Sequence, residues 1–330
     1  MDIIEKIQAR NAVKKSARLF FEKRGYVEVE TPSFVLSPDM APNLSYFTSE
    51  AIMFDGRITP GALITSPEYS LKNIIASGLT GVFEFARVWR NREPCDATHS
   101  PEFTMLEFYK IGMTFEDGIK ETINLLETIA REVNGSPKVS WKGREYDLSE
   151  WNHISLPELF RERVGIDLAN PSERMYIDAL ERQGIHYVGS DSISDLFNRL
   201  LIHFIEPEIA ASQRPVVVAH YPRHEASLAK IDGNGFAERF EIFVGDLELC
   251  NGYGELTDAT EQRARFNKEA EERKRLGKTV FPIDEELLAA LSLIKEPLFG
   301  NAIGFDRFLM TLFGASSIED ILVSSIMSYH

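Results

Sequence analysis

Cysteine and long apolar runs are both scarce in this sequence. Its 330 residues include two cysteines, Cys95 and Cys250, which lie in unrelated contexts and form no CxxC pair. This argues against a disulfide framework and a cysteine-based zinc site, and it favours a reducing cytoplasm. No run of about 18 apolar residues exists and the N-terminus has no secretory apolar core, so we expect neither a transmembrane helix nor a membrane partner.

Basic residues are also fewer than acidic residues. The chain has 51 acidic against 36 basic residues, which gives a formal net charge of −15. Proteins that bind a large nucleic acid present a basic face, because phosphate contacts supply most of the affinity. The acidic balance therefore disfavours tRNA and favours a small-molecule or protein partner. The hydrophobic fraction of 44% is ordinary for a soluble globular protein.

The N-terminal region predicts a helix followed by a strand. Residues 2–24 have the apolar periodicity of an amphipathic helix, and Gly25 marks its end. The alternating stretch YVEVETP then predicts a short strand that ends at Pro32. On the pattern alone, a surface helix and an edge strand account for this region. The residues expected near one face of the helix are Ile3, Ile4, Ile7, Val13, Ala17, Phe20 and Phe21.

Residues 82–109 form two β-type runs joined by a polar loop, which predicts a hairpin. The first run ends at Arg90, and a guanidinium there suits a phosphate or carboxylate because it binds two oxygens at once. His99 lies in the loop, and Glu107 and Tyr109 share one face of the second strand. This arrangement suits a phosphate beside an amine-bearing substrate. On spacing alone, an ordinary amphipathic hairpin with a solvated loop is an equally good interpretation.

Two further segments carry acidic residues in informative positions. Ser66 is a natural N-cap for a helix, Pro67 suits its first turn, and the helix dipole favours an anion at Glu68. That account is sufficient in structural terms. Nearer the C-terminus, a predicted hairpin turns at Gly245–Asp246.

The second hairpin sets three carboxylates, Glu241, Glu248 and Glu255, seven residues apart, with Asn251 among them. Such carboxylates repel one another unless cations neutralise them, and hard oxygen ligands suit Mg²⁺ together with substrate phosphates. The interleaved apolar residues favour this metal and substrate site over a solvated strand face. His220, which closes the strand PVVVA, is more typical of a structural residue.

Taken together, these segments resemble the class II aminoacyl-tRNA synthetases. The helix, the RGY turn and the strand are similar to motif 1, residues 82–109 are similar to motif 2, and GNAIGFDRFLM is similar to motif 3. HSPEFTMLEFY resembles the lysyl branch closely. The resemblance implies an α+β class II catalytic fold, an antiparallel β-sheet flanked by helices, and a homodimer formed through motif 1. It also implies one domain over residues 1–330, with residues 135–212 as a mostly helical, family-variable insertion.

The resemblance assigns a role to each candidate residue. Arg90 and Arg307 would be catalytic, and Glu241 and Glu248 would hold Mg²⁺ with ATP. The implied ATP-binding residues are Arg90, Asn91, Glu93, His99, Ser100, Phe103, Glu248, Leu249, Gly304 and Arg307. The implied substrate-binding residues are Ser66, Pro67, Glu68, Glu107, Tyr109, Asn251, Glu255 and Ala302.

The loop after Arg90 departs from the family pattern. The family has Arg-Asn-Glu and nine residues from that arginine to the histidine, whereas here Arg90 to His99 spans ten and Arg92 precedes Glu93. Either Glu93 still reaches adenine through a bulged loop, or that contact is lost. Ser100 also replaces the asparagine of the family.

Two details concern the acceptor. The chain begins essentially at motif 1, so we expect no N-terminal anticodon-binding barrel, and Ala302 stands where the tRNA enzymes have glycine. TSPEY and HYPRHEASLA resemble the elongation factor P–(R)-β-lysine ligase group, which implies that lysine or (R)-β-lysine is activated and transferred to a lysine of elongation factor P. A truncated lysyl-tRNA synthetase, a ligase with another acceptor and a non-catalytic regulator are the alternatives.

Overall fold

The computed structural model describes residues 1–325, which form a large β-sheet flanked by helices. The strands are β1 (Val27–Glu28), β2 (Phe34–Val35), β3 (Thr48–Ile52), β4 (Ile58–Leu63), β5 (Gly81–Trp89), β6 (Glu102–Ile111), β7 (Lys138–Trp141), β8 (Arg144–Asp147), β9 (Asn152–Ser155), β10 (Val216–Pro222), β11 (Phe236–Val244), β12 (Leu247–Gly254) and β13 (Leu298–Gly304). The helices are α1 (Ile3–Glu22), α2 (Glu68–Ala76), α3 (Phe115–Asn134), α4 (Leu156–Arg163), α5 (Glu173–Gln183), α6 (Ile193–Leu200), α7 (Glu206–Ala211), α8 (Ala259–Arg275), α9 (Glu285–Leu293) and α10 (Phe305–Phe313).

The large sheet has eight strands in the order β1-β5-β6-β13-β12-β11-β10-β9. The six central strands are antiparallel, as predicted. The two edge pairs, β1 with β5 and β9 with β10, are parallel, so the prediction of an antiparallel sheet is wrong at both edges. The physical reason is connectivity, because a parallel neighbour needs a long crossover connection. Helices α4 to α7 lie between β9 and β10 in the chain and make one such connection.

Both predicted hairpins are confirmed. Strands β5 and β6 pair across the loop that contains His99, and β11 and β12 pair across the turn at Gly245–Asp246. Gly245 has a φ of +62°, which a glycine adopts without strain. The predicted strand PVVVA is part of β10. His220 lies at a bulge in that strand, and its ring packs edge-on against Phe115 at 5.9 Å between centroids.

Helix α1 confirms the N-terminal prediction in extent but only partly in its apolar face. Asp2 caps the helix through a capping box with Glu5, which satisfies backbone donors at its first turn. The C-terminal half of the predicted face is buried against the sheet. The N-terminal half is not, since Ile3, Ile4 and Ile7 are between 42% and 61% exposed. The helix therefore carries an uncovered apolar stretch at its start.

The predicted N-cap of α2 needs a correction. The helix begins at Glu68 and its N-cap is Pro67, so Ser66 lies one residue earlier than expected. The Ser66 hydroxyl still accepts a hydrogen bond from the backbone N–H of Glu68, at 3.1 Å. Its own proton is donated to the Glu107 carboxylate, which draws Ser66 away from the usual cap position.

The buried apolar residues form five clusters, of which two are much larger than the others. The main core packs α1, α3 and α10 against the central strands. The second core lies under α4 to α7, where the predicted mostly helical insertion packs against β10 and β11. Among residues 1–325, no helix is both long and apolar enough to span a membrane.

Candidate active site

A cavity of about 230 Å³ lies where the β5–β6 hairpin meets β12, β13 and the start of α10. It is lined by every predicted nucleotide-binding residue except Asn91, and by the predicted substrate residues Asn251 and Ala302. The predicted residues on its wall are Arg90, Glu93, His99, Ser100, Phe103, Glu248, Leu249, Asn251, Ala302, Gly304 and Arg307. Residues from four separate segments of the sequence thus meet at one cavity.

The Arg307 guanidinium is held in place at one end of this cavity. It donates hydrogen bonds to the backbone carbonyls of Thr98, at 3.3 Å, and Glu248, at 3.1 Å. Its Nη2 also lies 2.9 Å from Nε2 of His99, while Nδ1 of His99 lies 2.8 Å from an Asp96 oxygen. Because arginine can only donate, Nε2 is the accepting nitrogen and Nδ1 carries the proton. This positioning prepares Arg307 for an anion such as a terminal phosphate.

Arg90 lies further along the same cavity, just after the end of β5. Its Cζ is 5.5 Å from the centroid of the Phe103 ring, which lines the wall. The Nε of Arg90 is buried and has no hydrogen-bond partner among the described residues. A buried charged donor of this kind is costly unless a partner arrives, so it fits an anionic group of a ligand.

The loop with the additional residue adopts the bulged arrangement. Arg92 is exposed and has a φ of +61°, a left-handed conformation that takes up the extra residue. Glu93 consequently stays on the cavity wall. The Asn91 amide instead donates to the backbone carbonyl of Tyr46, at 3.2 Å, so Asn91 shapes the loop and does not line the cavity.

The predicted metal residues, Glu241 and Glu248, lie on the neighbouring strands β11 and β12. Glu241 accepts hydrogen bonds from Arg239, at 2.6 Å, and from the Tyr221 hydroxyl, at 2.7 Å. Loss of solvent, and then the Glu241 carboxylate, raise the pKa of Glu248 to about 7. In the described residues no group of three or more potential ligands is close enough to hold a metal alone. The two carboxylates therefore fit Mg²⁺, which takes few protein ligands and completes its shell with phosphates and water.

A row of residues crosses the centre of the sheet and joins the metal residues to the predicted amino-acid pocket. Glu241 on β11 is in register with Asn251 on β12, which is in register with Ala302 on β13. Ala302 is in turn in register with Glu107 on β6. Residues in register on neighbouring strands lie side by side on one face. The Ala302 methyl group therefore stands between the Asn251 amide and the Glu107 carboxylate.

The Glu107 carboxylate is the best-coordinated acid of the pocket. The Tyr109 hydroxyl donates to one oxygen at 2.6 Å, and the Ser66 hydroxyl donates to the other at 2.7 Å. Burial and the neighbouring Glu68 raise the pKa of Glu107 to about 8. Glu255 is also buried, and its pKa is raised to about 8 by burial, although Lys72 opposes the shift. With these raised pKa values, the carboxyl groups of Glu107 and Glu255 can release their protons when a cationic group binds beside them.

Lys72, which sequence reasoning missed, joins the buried acids that were predicted to bind the amino acid. Its ammonium lies 2.6 Å from Glu68 Oε1 and 2.6 Å from Glu255 Oε2, and its side chain is 2% exposed. Burial alone would lower the pKa of Lys72, but Glu255 and Glu68 raise it on balance, so the group is a permanent cation. The signal in the sequence was a lysine four residues after Glu68, which is the spacing of an ion pair on one face of a helix.

Asp306 is a second residue that sequence reasoning missed, and it supports the site from behind. It is buried and pairs with Arg10 of α1, while its other oxygen accepts from the backbone N–H of Thr104 at 2.6 Å. Arg10 also donates to the Thr104 hydroxyl at 2.9 Å. These contacts fix the start of α10, and with it Arg307, to β6 and α1.

A larger cavity of about 480 Å³ opens beside the first one. It shares Thr98, His99, Glu248 and Arg307 with the first cavity and is bordered by Lys142 and Asp246. All of the shared residues except Thr98 are predicted to hold phosphates or magnesium. The nucleotide cavity therefore communicates with a wider opening on its phosphate side.

An antiparallel sheet with this hairpin, these arginines and these carboxylates defines an adenylate-forming enzyme of class II. Residues 2–325 match the family model of class II tRNA synthetases (D, K and N), and the chain belongs to that family. Members of the family are AMP-forming amino-acid ligases.

Particular relatives fall into two groups. The chain is 33% identical to the elongation factor P–(R)-β-lysine ligase of Avibacterium paragallinarum over 98% of this chain and 96% of that protein. It is also 33% identical to the ligase of that name from Mannheimia succiniciproducens, over 98% and 95%. A lysine–tRNA ligase of Helicobacter pylori is 32% identical over 96% of this chain and 62% of its own length.

Proposed function

We propose that the protein adenylates lysine or (R)-β-lysine with ATP and transfers the aminoacyl group to a lysine side chain of elongation factor P. The observation that carries the proposal is the similarity to elongation factor P–(R)-β-lysine ligases, which extends over 98% of this chain and up to 96% of theirs. The site supports it, since one cavity is lined by Arg90 and Arg307, which are cations suited to phosphate, and the nearby buried carboxylates of Glu107 and Glu255 suit a diamino acid.

The first step forms a bond between a substrate carboxylate oxygen and the α-phosphorus of ATP, and the bond to pyrophosphate breaks. Arg90 would stabilise the carboxylate and the α-phosphate, and Arg307 with His99 would hold the outer phosphates. Phe103 would stack on the adenine ring. Fixed donors directed at the developing charge supply most of the rate in reactions of this kind. Glu68, Glu107, Tyr109 and Glu255 would meanwhile bind the ammonium groups of the amino acid.

Magnesium held by Glu241 and Glu248 would neutralise charge on the phosphates. The protein prepares for this by keeping Glu241 ordered through Arg239 and Tyr221. In the second step, the amine of the acceptor lysine attacks the adenylate carbonyl. An amide bond forms, AMP leaves, and the amine loses a proton.

Elongation factor P is favoured as the acceptor over tRNA by two features of this chain. The net charge of −15 is poorly suited to a large polyanion. Ala302 places a methyl group in the amino-acid pocket, at a position where glycine is the rule in the tRNA enzymes that the sequence resembles. The alternative acceptor is tRNA, and the similarity to lysine–tRNA ligases keeps it as the second candidate.

The proposed assembly is a homodimer in the cytoplasm. The exposed apolar stretch at the start of α1, with Ile3, Ile4 and Ile7, supports pairing through the motif 1 region. Two free thiols, Cys95 and Cys250, are compatible with a reducing compartment. Light scattering during size-exclusion chromatography tests the dimer, and an Ile4→Glu variant should shift it toward the monomer.

The test of the function is a pair of reactions run side by side. The protein is incubated with ATP, Mg²⁺ and (R)-β-lysine, and either elongation factor P or lysine tRNA is supplied as the acceptor. We expect the mass of elongation factor P to rise by one lysyl group while tRNA stays uncharged. An unchanged elongation factor P together with efficient charging of tRNA would reverse the choice of acceptor. Absence of both products and of ATP–pyrophosphate exchange would contradict the ligase itself.

A further inference from the structure

Lys72 occupies an unusual place for a lysine, because its ammonium lies inside the pocket that should receive the ammonium groups of the substrate. The side chain comes from α2 and reaches Glu68 on its own helix and Glu255, which follows β12. Both Nζ–oxygen distances are 2.6 Å, and the lysine is buried. A buried lysine retains its charge only when carboxylates neutralise it, so these three groups form one unit.

Lys72 contacts only one oxygen of each glutamate in this unit. Lys72 contacts Oε1 of Glu68 and Oε2 of Glu255. Oε1 of Glu255 is buried and has no hydrogen-bond partner among residues 1–325. A buried, unpartnered carboxylate oxygen is costly to maintain, so it indicates a site for a donor group of a ligand.

The charges of the pocket also fit a particular class of ligand. Three carboxylates, from Glu68, Glu107 and Glu255, stand against the one ammonium of Lys72, which leaves two negative charges when all are ionised. A diamino acid brings two ammonium groups and matches that balance. A monoamino acid of the same length would leave one carboxylate buried without a cation, which is strongly unfavourable.

We propose that Lys72 is a positioning and specificity-determining residue, which stays between Glu68 and Glu255, holds the two carboxylates in place, and leaves Oε1 of Glu255 to receive an ammonium group of a diamino acid. The inference rests on the proposed adenylation of lysine or β-lysine. Lys72 itself touches neither ATP nor the reacting carboxylate in this account. Its effect passes through the two glutamates.

Removal of the cation should act through the protonation of Glu255. Burial already raises the pKa of Glu255 to about 8, and Lys72 is the largest influence that opposes the shift. Without Lys72, the pKa of Glu255 should rise further, so this carboxyl would hold its proton more tightly and attract an ammonium group less. The other titratable groups that act on this unit are Glu107 and Tyr109 on β6, Tyr253 on β12, Tyr69 on α2, Asp39 before β3 and Glu269 on α8.

The experiment compares two neutral variants, Lys72→Met and Lys72→Gln, with the charge-retaining Lys72→Arg. ATP–pyrophosphate exchange is measured with lysine and with norleucine, which has the same carbon chain but no side-chain amine. Near pH 7 we expect the neutral variants to raise the KM for lysine by about tenfold or more and to lose preference for lysine over norleucine. The pH at which the KM for lysine improves, as Glu255 ionises, should be higher in the neutral variants than in the wild type. Lys72→Arg should retain the preference, and the KM for ATP should stay unchanged in all three.

The possible failures are distinguishable. A neutral variant whose lysine preference and pH profile equal those of the wild type would overturn the role of Lys72 while the proposed function stood. An equal, pH-independent loss with both amino acids would show a purely structural role and would overturn it as well. Absence of exchange by the wild type with every amino acid would instead remove the proposed function, and this inference with it.

A second measurement needs no substitution. The Lys72 ammonium is shielded from solvent, so it should give a slowly exchanging ¹H–¹⁵N signal in protein labelled with ¹⁵N-lysine. We expect that signal to persist when lysine and ATP are added, since the ion pairs are kept. Loss of the signal on addition of the amino acid would mean that the substrate displaces Lys72, and would overturn the proposal even if the neutral variants did not fold.

Discussion

Nη2 of Arg307 lies 2.9 Å from Nε2 of His99, and this contact joins the first helical turn of α10 to the loop of the β5–β6 hairpin. The two residues are far apart in the sequence, yet the fold fixes them on one cavity wall beside Glu248. A cation that is held by backbone carbonyls before the ligand arrives needs little reorganisation when phosphates bind.

Substitution of Arg307 should therefore abolish adenylation. We expect Arg307→Ala to lower the rate of ATP–pyrophosphate exchange roughly hundredfold or more, because a preorganised donor to phosphate is lost. The matched control is Arg174→Ala, since Arg174 is an exposed arginine on α5 that pairs only with exposed acids. Exchange at the wild-type rate in Arg307→Ala would show that the triphosphate binds elsewhere.

Ionisation of Glu107 predicts a pH dependence of stability. Its ordinary pKa of 4.5 is raised to about 8 in the folded protein, so the folded state binds the proton more tightly than the unfolded chain. The associated stability is complete below about pH 4.5 and is lost as the pH rises through about 8. In the absence of ligands, the thermal midpoint should fall less steeply between about pH 6 and about pH 9 in Glu107→Gln than in the wild type. Parallel pH profiles would contradict the raised pKa.

Ala302 should influence which isomer of lysine is activated. Its methyl group stands between Asn251 and Glu107, beside the expected position of the amino groups. Lysine and β-lysine differ in the position of one amine, so Ala302→Gly should change the ratio of their kcat/KM values in favour of the isomer that the methyl group obstructs. We expect a shift of about tenfold, typical of one methyl group in a pocket. An unchanged ratio would show that the methyl group does not contact the substrate.

The buried pair of Arg10 and Asp306 should be important for stability. Asp306→Asn leaves Arg10 without its counter-ion, and breaking a buried pair costs roughly 3–5 kcal/mol. The control is Arg18→Gln, which breaks the exposed pair of Arg18 and Glu28, worth about 1 kcal/mol or less. Chemical denaturation monitored by circular dichroism measures both. Equal losses in the two variants would contradict a supporting role for Asp306.

Local patterns in the sequence were sufficient for part of the fold. Alternation with period two and the Gly245–Asp246 turn identified both hairpins, and the apolar periodicity identified α1. The parallel edge pairs were beyond such patterns, since β1 reaches β5 only through a long intervening stretch of chain. The exposure of Ile3, Ile4 and Ile7 was also beyond them, because a helical periodicity does not say how much of the apolar face the sheet covers.

The candidate site was likewise only partly predictable from the sequence. Residues that belong to motifs, such as Arg90, His99 and Arg307, were assigned by resemblance, and the fold brings them to one cavity. Lys72 was missed because its meaning depends on Glu255, which is distant in the sequence. The sequence left two arrangements of the loop at Arg92 open; the structure places Glu93 on the cavity wall, and its contact with adenine stays a prediction.

The most direct measurement is a crystal structure with lysine, Mg²⁺ and a non-hydrolysable ATP analogue. The account predicts the terminal phosphates beside His99 and Arg307, a metal ion on Glu241 and Glu248, and the adenine ring against Phe103. It further predicts that the ammonium groups of lysine contact Glu107 and the free oxygen of Glu255 while Lys72 stays in place. A triphosphate bound away from Glu248 and Arg307 would contradict the account.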